Sequence, residues 1–270
     1  MIVPHGVLTV IPFGALPLGE SALGLQVALR QAPSLASLAE VERRPAAPGG
    51  AARARRFRDA LVVGDPRMPT LRGADGGTLT LRPLPAAAVE GDSVARRVGT
   101  RALTGGAATE TAVRRRMARA PLIHLATHGY AYAAGGRARS SFVALAPDDS
   151  ADGLLTVGEV LDDPALTLGA ELVVLSACQT GLGNLKQAEG TVGLQRAFLA
   201  RGARRLLVSL WSVSDDATAI LMQRFYAHWL DDRDQPAPAE ALRRAQADVR
   251  NTPGFEAPRY WAPFMVVGGK

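Results

Sequence analysis

Short, almost unbroken apolar runs recur along this chain, and amphipathic stretches lie between them. The runs are Ala60–Pro66, Leu122–Thr127, Ser141–Ala146, Leu172–Ala177, Arg205–Trp211 and Phe264–Gly268. Each is strand-length and mostly β-branched or aliphatic, with no alternation of polar residues. That pattern belongs to strands buried on both faces. Between them, helical spacing is read over Pro85–Val98, Thr109–Arg119, Thr156–Leu161, Gly190–Leu199, Asp215–Leu230 and Pro238–Val249. Thr109 and Ser214 stand where N-caps belong, and Asp215 and Asp216 sit at the positive end of their helix. Strands alternating with helices predict an α/β fold of three layers, a mostly parallel central sheet flanked by helices. Val3–Leu16 reads as a short strand and turn. One domain over residues 1–270 is expected, and no internal repeat interrupts it.

One stretch breaks the pattern. Residues 43–58 hold Arg43, Arg44, Arg53, Arg55, Arg56 and Arg58 with Pro45, Pro48, Gly49 and Gly50, and no acid. With no apolar face to bury, this stretch is expected to be a flexible loop, nicked first by trypsin. Arginine accounts for nearly all of the net charge of +6, lysine occurring only at 186 and 270. A second cluster, Arg114, Arg115, Arg116 and Arg119, spreads over several faces of its helix. Solvated surface is the reading of both clusters, and nucleic acid is not an expected partner.

Other classes are excluded by what is missing. A single cysteine rules out an internal disulfide. That cysteine and four histidines show no metal-ligand spacing, so no metal and no cofactor are expected. Pro4, Pro12 and Pro17 break the start of the chain, which has no basic leader. No apolar run is long enough to span a bilayer. A cytoplasmic location without membrane attachment follows. There is no G-x-S-x-G, G-x-G-x-x-G or G-x-x-x-x-G-K-[ST] motif.

The candidate chemistry lies at two strand ends. The run Leu172–Ala177 delivers Cys178 to the turn Gln179-Thr180-Gly181-Leu182-Gly183, and Leu122–Thr127 delivers His128 to Gly129. A lone buried cysteine is usually an inert small hydrophobe. Here two strands of one parallel sheet would set a thiol and an imidazole side by side at the carboxyl edge, where open α/β folds keep their sites. A nearby imidazole favours the thiolate, and the thiolate is the nucleophile. Cys178 and His128 are therefore the expected catalytic dyad. Their separation of fifty residues agrees with the roughly 50 of the caspase arrangement. His124, four residues earlier in the strand, is read as a packed core histidine, with an orienting role as the alternative.

Six blocks in fixed order carry a resemblance. They are Val3-Pro4-His5-Gly6-Val7-Leu8 with Ile11-Pro12-Phe13-Gly14-Ala15-Leu16, His124-Leu125-Ala126-Thr127-His128-Gly129, Leu175-Ser176-Ala177-Cys178-Gln179-Thr180-Gly181, Glu189-Gly190, Ser209-Leu210-Trp211-Ser212-Val213-Ser214-Asp215, and Tyr260-Trp261-Ala262-Pro263-Phe264. Together they resemble the CHAT domain, a caspase-like module related to separase and often joined to tetratricopeptide repeats. The resemblance implies a three-layer caspase-like fold and a cysteine endopeptidase acting on a protein substrate. The alternative is a catalytically silent module that binds or scaffolds proteins. It also implies a helical-repeat regulatory region or partner, since family members usually carry such repeats before the opening block.

Site roles follow from the same likeness. The backbone N–H groups of Gly129 and Cys178 would form the oxyanion hole. Asp215 matches a separase block whose acid receives a basic P1 side chain, so cleavage after Arg or Lys is implied. Local chemistry alone would equally justify Asp215 as a helix-terminal acid, and both readings stand. Asp216 and Glu189 are the fallback acids. Trp211 would line the pocket or belong to the core.

Overall fold

In the computed structural model, residues 1–44, 57–72, 77–132, 137–176, 187–211 and 213–269 are described. Seven strands form the central sheet: β1 (Arg30–Gln31), β2 (Leu61–Pro66), β3 (Leu103–Gly105), β4 (Leu122–Ala126), β5 (Leu172–Ser176), β6 (Arg205–Ser209) and β7 (Phe264–Gly268). Their spatial order is β1-β7-β6-β5-β4-β2-β3. Strands β2 to β6 run parallel, whereas β7 is antiparallel to β6 and carries β1 with it. The continuous apolar runs are explained by burial: every residue of β4 and β5 is buried.

Because side chains alternate along a strand, each run feeds two cores. Ile123, Leu125, Val173, Leu175, Leu206 and Val208 point to one face. There they meet helices α1 (Leu35–Glu42), α3 (Glu110–Met117), α4 (Val157–Asp162) and α5 (Gln187–Ala200). Leu122, Val174, Leu207 and Val266 point to the other face and meet α2 (Pro85–Val98), α6 (Asp215–Asp231) and α7 (Pro238–Arg250). The result is the expected three-layer arrangement, with helices on both faces of a mostly parallel sheet.

Local chemistry sets the helix starts. Side chains of Thr109 and Ser214 accept from the amides of Ala112 and Ala217. Thr156 and Glu159 form a reciprocal capping box at α4. Helix α2 sits unusually close to the sheet. A Cβ on Gly64 would fall 2.6 Å from the carbonyl oxygen of Ala87, and one on Gly91 only 3.0 Å from Gly64 Cα. Two glycines thus let helix and strand backbones touch.

Two expectations are corrected. Val3–Leu16 is not a strand and turn but two 3-10 turns, Gly6–Val10 and Phe13–Ala15. Pro4 and Pro12 withhold ladder amides, and Gly6 turns the chain at φ 57°. The run at 141–146 does not join the central sheet. Its core, Phe142–Ala144, is the middle strand of a separate antiparallel sheet with Gly129–Tyr130 and Leu154–Thr156. Of the arginine-rich stretch 43–58, only residues 43–44 and 57–58 are described. Arg44 donates to the carbonyls of Leu199 and Ala203, and Phe57 is buried against Trp229 with ring centroids 5.0 Å apart. Residues 45–56, where trypsin cleavage was expected, lie outside the described residues.

In the second arginine cluster, Arg114 pairs with Asp163 at 2.9 Å and Arg116 donates to the carbonyl of Ala60. Among the described residues, no helix is long and apolar enough to cross a membrane, and no group of three His, Cys, Asp or Glu is placed to hold a metal ion.

Candidate active site at the carboxyl edge of the sheet

Strands β4 and β5 are parallel neighbours, with Ala126 opposite Ser176. His128 follows its paired residue by two positions, and Cys178 follows Ser176 by the same two in sequence. Cys178 itself lies outside the described residues. His128 is held firmly. Past Ala126 the chain leaves the central sheet for the small antiparallel one. The Thr127 hydroxyl donates to the carbonyl of Ala144 at 2.8 Å, and the Ala144 amide donates to the carbonyl of His128 at 2.8 Å. These two bonds lock the main chain on either side of the imidazole.

The ring is also oriented. His128 Nε2 lies 2.8 Å from the carbonyl oxygen of Arg82. A carbonyl only accepts, so Nε2 carries the proton, and in the neutral ring Nδ1 holds the lone pair. The histidine is buried. Sequence reading missed the Arg82 carbonyl. A main-chain acceptor leaves no side-chain signature, and the apolar pattern places only the helix that follows it.

Gly129 is buried and lies in an edge strand of the small sheet. An edge strand leaves one row of main-chain groups unpaired by its own sheet. That is a suitable place for an anion-binding N–H.

His124 takes the core reading. It is fully buried in β4 and faces the α2 and α6 side. Its Nδ1 lies 3.1 Å from the Tyr226 hydroxyl. Its Nε2 lies 3.0 Å from Glu90 Oε1 on α2, although off hydrogen-bond alignment. Burial, and then the nearby Glu90 carboxylate, push the Tyr226 hydroxyl well above the ordinary tyrosine range. Tyr226 therefore stays protonated, and the His124 tautomer sets which of the two groups donates. Replacing Tyr226 with Phe leaves a buried ring nitrogen of His124 without its hydrogen-bond partner. It should cost about 1–3 kcal/mol of stability, read as a lower urea midpoint with an unchanged slope.

Asp215 is the first residue of α6 and is exposed, as is Asp216. Trp211 is half-buried, packs against the α2–α6–α7 core, and donates from Nε1 to the carbonyl of Arg259 at 3.1 Å. Glu189 belongs to α5, with its side chain outside the described set.

The sheet order, the helical layers and the site at the strand ends define an α/β protein of the caspase-like fold. The chain belongs to the CHAT domain family, whose model matches residues 1–269. Among curated proteins it is similar to the tetratricopeptide repeat protein 28 of Homo sapiens, 31% identical over 240 residues. The Mus musculus protein of that name is 30% identical over the same length. The match covers 77% of this chain and 9% of either relative, so the chain corresponds to a small part of those proteins. Among solved structures it is similar to separase in the Saccharomyces cerevisiae separase–securin complex, with a TM-score of 0.56 and 11% identity. That likeness covers 97% of this chain and 15% of the other. At that identity it is the fold that is shared.

Proposed function

We propose that the protein is a cysteine endopeptidase of the caspase–separase type that cleaves a protein partner, with Cys178 as nucleophile and His128 as its base. The observation that carries this reading is the His128 ring. It is clamped two residues past a strand residue whose parallel partner stands two residues before Cys178, with its Nε2–H engaged by Arg82. A neutral imidazole held in that tautomer has its basic nitrogen committed to one direction.

His128 Nδ1 takes the thiol proton. The thiolate attacks the scissile carbonyl carbon, and the backbone N–H groups of Gly129 and Cys178 receive the oxyanion. Collapse breaks the C–N bond, the amine leaves with the proton from His128, and a thioester remains. Water, deprotonated by the same imidazole, hydrolyses the thioester and restores the thiol. Such oxyanion donors are worth roughly 3 kcal/mol each.

The preference for a basic P1 residue is assigned to Asp215. Its exposure supports a carboxylate that waits in water and needs no buried partner before substrate arrives. It also sets the size of the effect. A partly solvated pair contributes less than a desolvated one. The test is a panel of fluorogenic peptides with Arg, Lys or Leu at P1, given to wild type, Cys178→Ala and Asp215→Asn. Wild type should turn over the Arg peptide and Cys178→Ala should not. Asp215→Asn should lower the Arg-to-Leu ratio of kcat/KM about tenfold. An unchanged ratio refutes the specificity assignment alone. No turnover of any peptide by wild type, with Cys178 alkylated no faster than a free thiol, refutes the peptidase reading and leaves the protein-binding module.

A further inference from the structure

Asp65 is placed where an ordinary strand residue would not be. It sits between Gly64, paired with Thr104, and Pro66, paired with Gly105, so it is the extra residue of a bulge in the β2–β3 ladder. Its φ is 45°, a left-handed conformation that Asp tolerates better than most residues. Bulges re-aim side chains and recur beside active sites. Here the redirected carboxylate reaches the start of α2. Asp65 Oδ1 accepts from the Leu84 amide at 2.8 Å. Leu84 is the N-cap position of α2 and has no side-chain oxygen of its own to serve there. Two residues earlier is Arg82, whose carbonyl holds His128 Nε2. The helix behind this segment is seated by the Gly64–Gly91 contact and by Glu90 beside His124.

We propose that Asp65 is a positioning residue for His128: it fixes the 82–84 segment, so that the Arg82 carbonyl selects the Nε2–H tautomer of the imidazole. The catalytic consequence rests on the peptidase reading; the tautomer selection does not.

Three variants divide the roles. Asp65→Gly keeps the backbone free to adopt a positive φ and deletes the acceptor. Asp65→Asn keeps an acceptor oxygen and a side chain tolerant of that φ. His128→Ala tests the dyad itself. The first readout is the side-chain nitrogen NMR spectrum of His128 above its titration, which reports the tautomer without substrate. The second is the rate at which iodoacetamide alkylates Cys178, the only thiol, as a function of pH. Wild type and Asp65→Asn should show the Nε2–H form dominant. Asp65→Gly should give a mixture of tautomers and alkylate about tenfold more slowly at pH 7, the loss expected for one hydrogen bond. An Asp65→Gly protein with native circular dichroism, an unchanged tautomer and an unchanged alkylation profile overturns the proposal. If His128→Ala leaves alkylation unchanged, the dyad reading fails, and the tautomer measurement alone decides the role of Asp65.

Discussion

Replacing Cys178 with Ala, or His128 with Ala, is expected to remove nearly all turnover of the best peptide, by about a thousandfold or more. The double variant should be little worse than either single one. On the proposed mechanism the two groups act as a unit, because a nucleophile and its base serve one step. Additive losses would mean that the residues contribute separately. His128 is buried and bonded to the Arg82 carbonyl, so His128→Ala should lower the urea midpoint by no more than the about 1–3 kcal/mol of one lost buried hydrogen bond. A large loss of stability in His128→Ala would instead mark the Arg82 contact as structural support. His128→Gln is a useful control, because its amide can still donate to Arg82 but supplies no base.

The second large effect concerns pH. The Glu110 side chain is fully buried at the start of α3. It accepts from the Gly153 amide at 3.2 Å, and Arg114 lies 3.5 Å away. Burial first, then the negative charges of Glu159 and Asp152, raise its carboxyl from the ordinary 4.5 to about 7, against the opposing pull of Arg114 and Gly153. The sign follows from proton uptake. Between those values the folded chain holds a proton that the unfolded chain has released, so stability falls as pH rises. The favourable contribution is complete below about pH 4.5 and gone above about pH 7. Its size is about 3 kcal/mol. Glu110→Gln keeps an acceptor for Gly153 and cannot ionise. Its unfolding free energy, compared with wild type from pH 4.5 to 8, should become the higher of the two as pH rises. Parallel curves would refute the shift. Below that window, Asp148 and Asp163, both held low by their hydrogen bonds, give the opposite slope.

The central strands and the helices of both layers were legible because burial on two faces and helical amphipathicity write directly into local sequence. The end of α5 could be placed from Gly202 and the start of α6 from Ser214. Strand direction was not legible. Nothing in Phe264–Gly268 says that it runs against β6, because direction depends on where α7 and the short Pro258–Trp261 helix return the chain. Nor could Phe142–Ala144 be separated from the central sheet, since a strand between two cores reads the same in either sheet. At the candidate site, residue type and spacing led to the expectation of His128 and Cys178, and Cys178 lies outside the described residues. The Arg82 carbonyl and the Leu84 amide gave no such signal, being groups that every residue carries. Asp65 was visible only as part of a Gly-Asp-Pro turn, and its task emerges once α2 is docked.

The pairing of β4 with β5 joins Ala126 to Ser176 across fifty residues of chain. Closing a span of that length is entropically slow, and parallel pairings of high sequence separation form late. Within that span the antiparallel sheet of residues 129–156 is stitched together by nearer neighbours, which draws its two ends toward each other. A chain emerging from a ribosome would therefore hold a structured but incomplete strand end until β5 has been made and threaded beside β4. Whatever that edge does, it would therefore take shape with a long-range closure and not with the local folding that precedes it.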